Sequence, residues 1–185
     1  MRRIALAVLV LLLAAAAGFA KPKPSGFGTL DKALVVTPMG GLVFPMGDFS
    51  NGADMGFMVG GNLEYFINPR VALSGNLAYH SFGAPSGAPD GADFFLIGGG
   101  FRGLLFDDAK INPYGRAAAG LYQGNDESNV GINFGGGVLI RSTKTLGFFA
   151  EGALHFVFGV GSGVSETANF FGATGGVVLT IPSGK

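Results

Sequence analysis

The chain of 185 residues contains no cysteine and no tryptophan. The first absence excludes disulfides, thiolate metal sites, a cysteine nucleophile and a lipid-modified N-terminal cysteine. Charge is scarce as well. Charged residues make up 13% of the chain, about half the share usual in soluble domains. Basic and acidic residues balance to a formal net charge of zero, which gives no electrostatic footing for nucleic acid. Beyond the N-terminus no continuous apolar run approaches the roughly 20 residues that a membrane-spanning helix needs. What abounds is glycine, at 34 residues.

The N-terminus carries the clearest local pattern. Met1-Arg2-Arg3 is basic, Ile4 to Ala17 is apolar, and Gly18-Phe19-Ala20 ends in small residues. That order predicts a secretory signal peptide over 1–20, cleaved after Ala20. Residues 21–32, rich in Pro, Gly and Lys, predict a flexible leader, and 33–185 the folded domain.

Within that domain Met55 to Phe82 sets the pattern. Met55, Phe57, Val59, Leu63 and Tyr65 share one parity, and Gly56, Gly60, Asn62 and Glu64 the other. After the turn Asn68-Pro69-Arg70, Val71, Leu73, Leu77 and Tyr79 alternate with Ala72, Ser74, Asn76, Ala78 and His80. Successive side chains of a strand point to opposite faces, so this is a hairpin with one apolar and one small, polar face.

The rest of the domain repeats it. Strands are expected over Ala33–Phe44, Met55–Phe66, Val71–Phe82, Asp93–Phe106, Ile111–Tyr122, Val130–Arg141, Leu146–Phe158 and Asn169–Ile181. They exceed the usual five or six residues and suit tilted membrane-spanning strands of about 9 to 11. Longer Gly/Ser/Asp/Pro loops alternate with tight turns at 67–70, 107–110 and 142–145. The fold class that follows is all-β: an eight-stranded antiparallel up-and-down transmembrane β-barrel after an N-terminal signal peptide.

Two observations turn the apolar parity toward lipid. The strand interiors hold no lysine, and the small, polar parity carries Glu64, Arg116, Arg141 and Glu151, with Arg102 on a strand of ambiguous faces. Aromatic residues also gather near strand ends: Phe44, Tyr65, Phe66, Tyr79, Phe82, Phe94, Phe95, Phe106, Tyr122, Phe156, Phe158, Phe170 and Phe171. Rings at both rims are expected of interfacial girdles. Eight strands leave a lumen just wide enough for side chains to fill, and an isolated charge there costs several kcal/mol. The expectation is a lumenal network of Glu64, Arg102, Arg116 and Glu151, with Asn62, Asn76, Tyr114, Asn133 and His155 as hydrogen-bonding neighbours.

The chain resembles the small outer-membrane β-barrel family, the type of outer-membrane proteins A and X, often labelled porin-family domains. The residues that carry the likeness are Gly40-Gly41-Leu42-Val43-Phe44-Pro45, Gly47-Asp48-Phe49, Phe66-Ile67-Asn68-Pro69 and Asn112-Pro113-Tyr114-Gly115, within about 33 to 181. The resemblance implies a Gram-negative outer membrane, outer-membrane lipid and the barrel-assembly machinery as partners, and no cofactor. Members usually end on an aromatic residue, whereas this sequence ends Ile181-Pro182-Ser183-Gly184-Lys185.

Catalysis is not expected. His80 and Ser81 are chain neighbours on a strand and point apart, and His155 has no Ser or Asp two residues on. Asp48, Asp54, Asp90, Asp93, Asp126 and Glu127 fall in or beside the long loops, where solvated carboxylates are the ordinary case. The leading expectation is a structural or surface-interaction barrel plugged by polar side chains. The alternatives are a narrow porin-like conduit and a secreted soluble barrel with its bulky apolar parity around a small ligand.

Overall fold

Alternating sequence in the absence of any helical period produces strands throughout. The computed structural model describes residues 26–86, 91–124, 128–159 and 167–181. The expected signal peptide 1–20, leader residues 21–25, and Asp90, Asp126 and Glu127 lie outside them. The strands are β1 (Leu34–Met46), β2 (Asp54–Phe66), β3 (Val71–Gly83), β4 (Asp93–Leu104), β5 (Ile111–Gln123), β6 (Ser128–Arg141), β7 (Leu146–Phe158) and β8 (Thr167–Ile181). A 3-10 turn, η1 (Gly47–Asn51), follows β1. Every strand pairs antiparallel with its chain neighbour, and β8 returns to β1 to close the barrel. The closing seam runs from Leu34 opposite Ile181 to Met46 opposite Asn169.

The bulky apolar parity faces outward. Phe101 and Leu63 are 57% and 54% exposed, while Arg102 and Glu64, their chain neighbours, are each 2% exposed. The arrangement with the bulky parity inward around a ligand is therefore not the one adopted. Aromatic residues correct the girdle expectation in part. Phe66, Phe82, Phe94, Tyr122 and Phe170 are buried in the lumen, and Tyr65, Tyr79, Phe95 and Phe158 are exposed on the wall. Parity decides each case, and a residue near a rim has no option but the face its register gives it.

Side chains pin each short turn. Asn68 Oδ1 accepts from the backbone N–H of Arg70 and Val71, at 2.8 and 2.9 Å. Asn112 spans the β4–β5 turn, accepting from Phe106 N–H at 3.1 Å and donating to Phe106 O at 2.7 Å. Thr143 Oγ1 accepts from Leu146 N–H at 3.0 Å. Arg70 and Asp107 then join two neighbouring turns by an exposed ion pair.

At this same end the chain entering β1 crosses the barrel mouth. Leu30 and Ala33 are buried, and Lys32 N–H donates to Phe66 O at 3.0 Å. Arg141, the last residue of β6, donates to Gly28 O at 2.6 Å and Phe27 O at 3.2 Å. Its guanidinium also lies 5.5 Å from the Phe27 ring centre. The expected leader is thus, from residue 26, a strap seated under the barrel.

Glycine on the lumenal face is a matter of space. A Cβ on Gly100 would run into the Ala117 carbonyl oxygen and lie 2.6 Å from Ala118 Cα, whereas one on Gly103 would meet nothing within 4 Å. Gly100→Ala is expected to cost about 1 to 3 kcal/mol, the usual range for overpacking, and Gly103→Ala to be neutral. Urea midpoints of the refolded barrel in detergent check this; equal midpoints for the two variants would contradict it.

Candidate functional site

The lumen is built in three layers, and the middle one is ionic. Inward positions of β2, β4, β5 and β7 bring Glu64, Arg102, Arg116 and Glu151 together. Arg102 Nη1 donates to Glu64 Oε2 at 2.9 Å, and Arg116 Nη1 to Glu151 Oε1 at 3.1 Å. Arg102 Nη2 stands 4.0 Å from Glu151 Oε2, which also accepts from Tyr114 OH at 2.9 Å. The Arg102 guanidinium lies 4.3 Å from the Tyr114 ring centre, a cation–π contact out of water.

Register explains why this order is needed. Arg102 and Arg116 are directly opposite each other on β4 and β5. Like charges so placed repel. Glu151 reaches across from β7 to both, and Glu64 holds Arg102 from the other side, so the charges alternate Glu64–Arg102–Glu151–Arg116. Room for these long side chains comes from glycine: a Cβ on Gly137 would fall 2.8 Å from the Tyr114 hydroxyl.

The amides divide. Asn133 Oδ1 accepts from Arg116 Nη2 at 2.7 Å, and its Nδ2 donates to the Tyr122 hydroxyl oxygen at 3.2 Å. Tyr122 in turn lies 2.8 Å from His155 Nδ1. Asn76 instead donates to Asn62 Oδ1 at 2.6 Å, and Asn62 to Met39 Sδ at 3.7 Å, a separate side pair. Tyr122 and His80 are not among the lumenal residues expected from the sequence. Tyr122 stands near a strand end among the rim aromatics, and the inward parity that His80 shares with Asn76 is the signal that places it in the lumen.

An apolar layer closes each side of the ionic belt. Toward the long loops lie Val43, Phe82, Phe94, Val157 and Phe170 with the Tyr122 ring. Toward the short turns lie Leu30, Phe66, Leu104, Leu139, Phe149 and Val178. The closed eight-stranded topology, the outward apolar wall and the charged lumen decide the architecture. The fold is that of the small outer-membrane β-barrels. Neisserial surface protein A superposes at a TM-score of 0.64 with 15% identity, over 82% of this chain and 98% of that one. Outer membrane protein OprG from Pseudomonas aeruginosa superposes at 0.57 with 11% identity, over 85% and 99%. The N-terminal β-barrel domain of Pseudomonas aeruginosa OprF gives 0.53 and 17%, over 82% and 98%. No protein-family profile and no curated protein matches the sequence.

Removing one partner of a buried pair strands the other. Glu151→Gln leaves Arg102 and Arg116 facing each other with no carboxylate between them, since Glu64 pairs with Arg102 from the far side, and is expected to cost about 3 to 5 kcal/mol of unfolding free energy. Replacing the Glu64–Arg102 pair together by Leu and Met is expected to cost much less than Glu64→Leu alone. Equilibrium unfolding in urea separates them, and equal losses would refute the coupling.

Proposed function

We propose that this chain is an integral outer-membrane β-barrel with a structural or surface-interaction role, its lumen plugged by its own side chains. The carrying observation is the exchange of faces. Large apolar residues such as Phe57, Leu77, Ile97 and Phe134 stand on the outside, while Glu64, Arg102 and Glu151 are buried within. Water would favour the opposite arrangement. Hydrocarbon favours this one, because a closed barrel satisfies its backbone internally and an apolar wall needs no hydration.

The layers support the plug. A permeating ion would have to cross apolar side chains at both ends and displace a belt whose charges are already paired. The predicted signal peptide agrees with export, and the resemblance with insertion by the barrel-assembly machinery into outer-membrane lipid. A catalytic role has no support from the lumenal residues: Glu151 is engaged by Arg116 and Tyr114, and His155 is paired with a phenol rather than with a nucleophile and its orienting acid.

Membrane fractionation with gel mobility of unheated against boiled sample tests the reading. Outer-membrane enrichment and a heat-dependent shift are expected, with no channel steps in a planar bilayer at neutral pH. Recovery as a soluble protein would sink the membrane assignment. Discrete conductance steps that change on Arg102→Gln or Arg116→Gln would replace the plug with a narrow conduit.

A further inference from the structure

The chain has two histidines, and the fold brings them into contact. His80 on β3 and His155 on β7 have ring centres 5.4 Å apart, inside the aromatic layer above the ionic belt. His155 stacks on Phe170 at 4.4 Å, and His80 meets the same ring edge-on at 5.2 Å. His80 is completely buried, and neither of its ring nitrogens has a hydrogen-bond partner of good geometry. Buried polar atoms in that condition are uncommon and call for an explanation.

The hydrogen bonds from the belt toward this pair are fixed in direction as far as Tyr122. An arginine is purely a donor, so Asn133 accepts from Arg116 through Oδ1 and donates through Nδ2 to the Tyr122 oxygen. Tyr122 OH and His155 Nδ1 stand 2.8 Å apart, and the His155 tautomer decides which of them donates. A phenol oxygen has two acceptor sites, so Asn133 and a protonated Nδ1 can both donate to it. Protonation at Nδ1 then leaves the Tyr122 O–H without this acceptor, in a layer of apolar side chains.

The Phe94 backbone is the one group beside His80 that favours its charged form, and among the described residues no acidic side chain contacts the pair. Tyr122 and Arg116 face it from β5, and Asn133 from β6 is neutral. Glu151 on β7 is held by Arg116 and Tyr114, and Glu64 on β2 by Arg102 on β4. β1 and β8 contribute Val43 and Phe170, and Phe82 is the further β3 residue. Asp48 on η1, Asp54 on β2 and Asp93 on β4 are exposed at the rim.

We propose that His80 and His155 latch an acid-opened lid: protonation of the two imidazoles unseats the aromatic layer and admits water down to Arg116, while the strap keeps the other mouth shut. The proposal rests on the membrane-barrel reading above.

Because the chain lacks tryptophan, Phe170→Trp places a single fluorophore in the lid, with Phe82→Trp as a second position. The variant is refolded into phosphatidylcholine vesicles and quenched with acrylamide at pH about 7.5 and about 4.5, either side of the ordinary imidazole range. A reversible red shift and about a twofold or larger rise in quenching are expected at the lower pH, the heat-dependent gel shift being kept. Adding His80→Phe and His155→Phe should abolish both changes. An unchanged signal, or the same change without the histidines, overturns the lid. So does loss of the gel shift at acid pH, which would mean that no lid opens apart from the barrel. On the unsubstituted protein, imidazole nitrogen resonances that fail to titrate down to pH about 4 overturn it as well. Failure to enter vesicles at all counts instead against the membrane reading.

Discussion

An unpaired strand edge leaves a row of backbone N–H and C=O groups without partners, and closure of the sheet removes both edges. β1 must find β8, and it does so along nearly its whole length, from Leu34 opposite Ile181 to Met46 opposite Asn169. Once the ring is shut, every strand has two neighbours and two faces with fixed destinations. The lumen of eight strands is narrow, so inward positions alternate between long side chains and glycines that make room for them. Gly131 illustrates the trade: a Cβ there would lie 2.6 Å from the Tyr122 ring.

Charges placed inside such a ring must be satisfied by one another. A buried ion pair is weak ground for stability, since desolvation consumes much of its attraction. The belt has a different physical effect. Glu64, Arg102, Arg116 and Glu151 come from four strands, and a slip of one residue in any of them would turn its charge to the apolar side. The belt therefore selects one register among those the alternating pattern alone would allow. The aromatic and aliphatic layers on either side keep water from competing for its bonds.

Much of this was legible in the sequence because period two is a strong signal when repeated eight times. Strand positions fell within a few residues of those observed, and the expected β4 ran on to Phe106 only because the turn, held by Asn112, begins while the sequence is still apolar. Glu64, Arg116 and Glu151 could be placed by parity alone. The opposition of Arg102 and Arg116 could not, because register across strands is invisible in one strand's pattern. Nor could the division of the rim aromatics, since Phe94 and Phe95 differ in environment by a single step along β4. The strap was hidden for another reason. Pro, Gly and Lys dominate its neighbourhood, and its decisive contact joins Arg141 to a carbonyl 113 residues earlier.

That separation has a consequence for assembly. The strap leads the barrel sequence, yet beyond Phe66 on β2 its seat is made of residues from the far half of it: Arg141 at the end of β6 and Leu139 and Val178 beside Leu30. The seat cannot exist until those strands have paired, so the earlier segment must wait for the later ones. An intact strap is thus a record that the ring has closed. Residues 26–33 therefore report on closure: in an open ring they have no seat and are open to cleavage, and in the closed one Leu30 and Ala33 are buried.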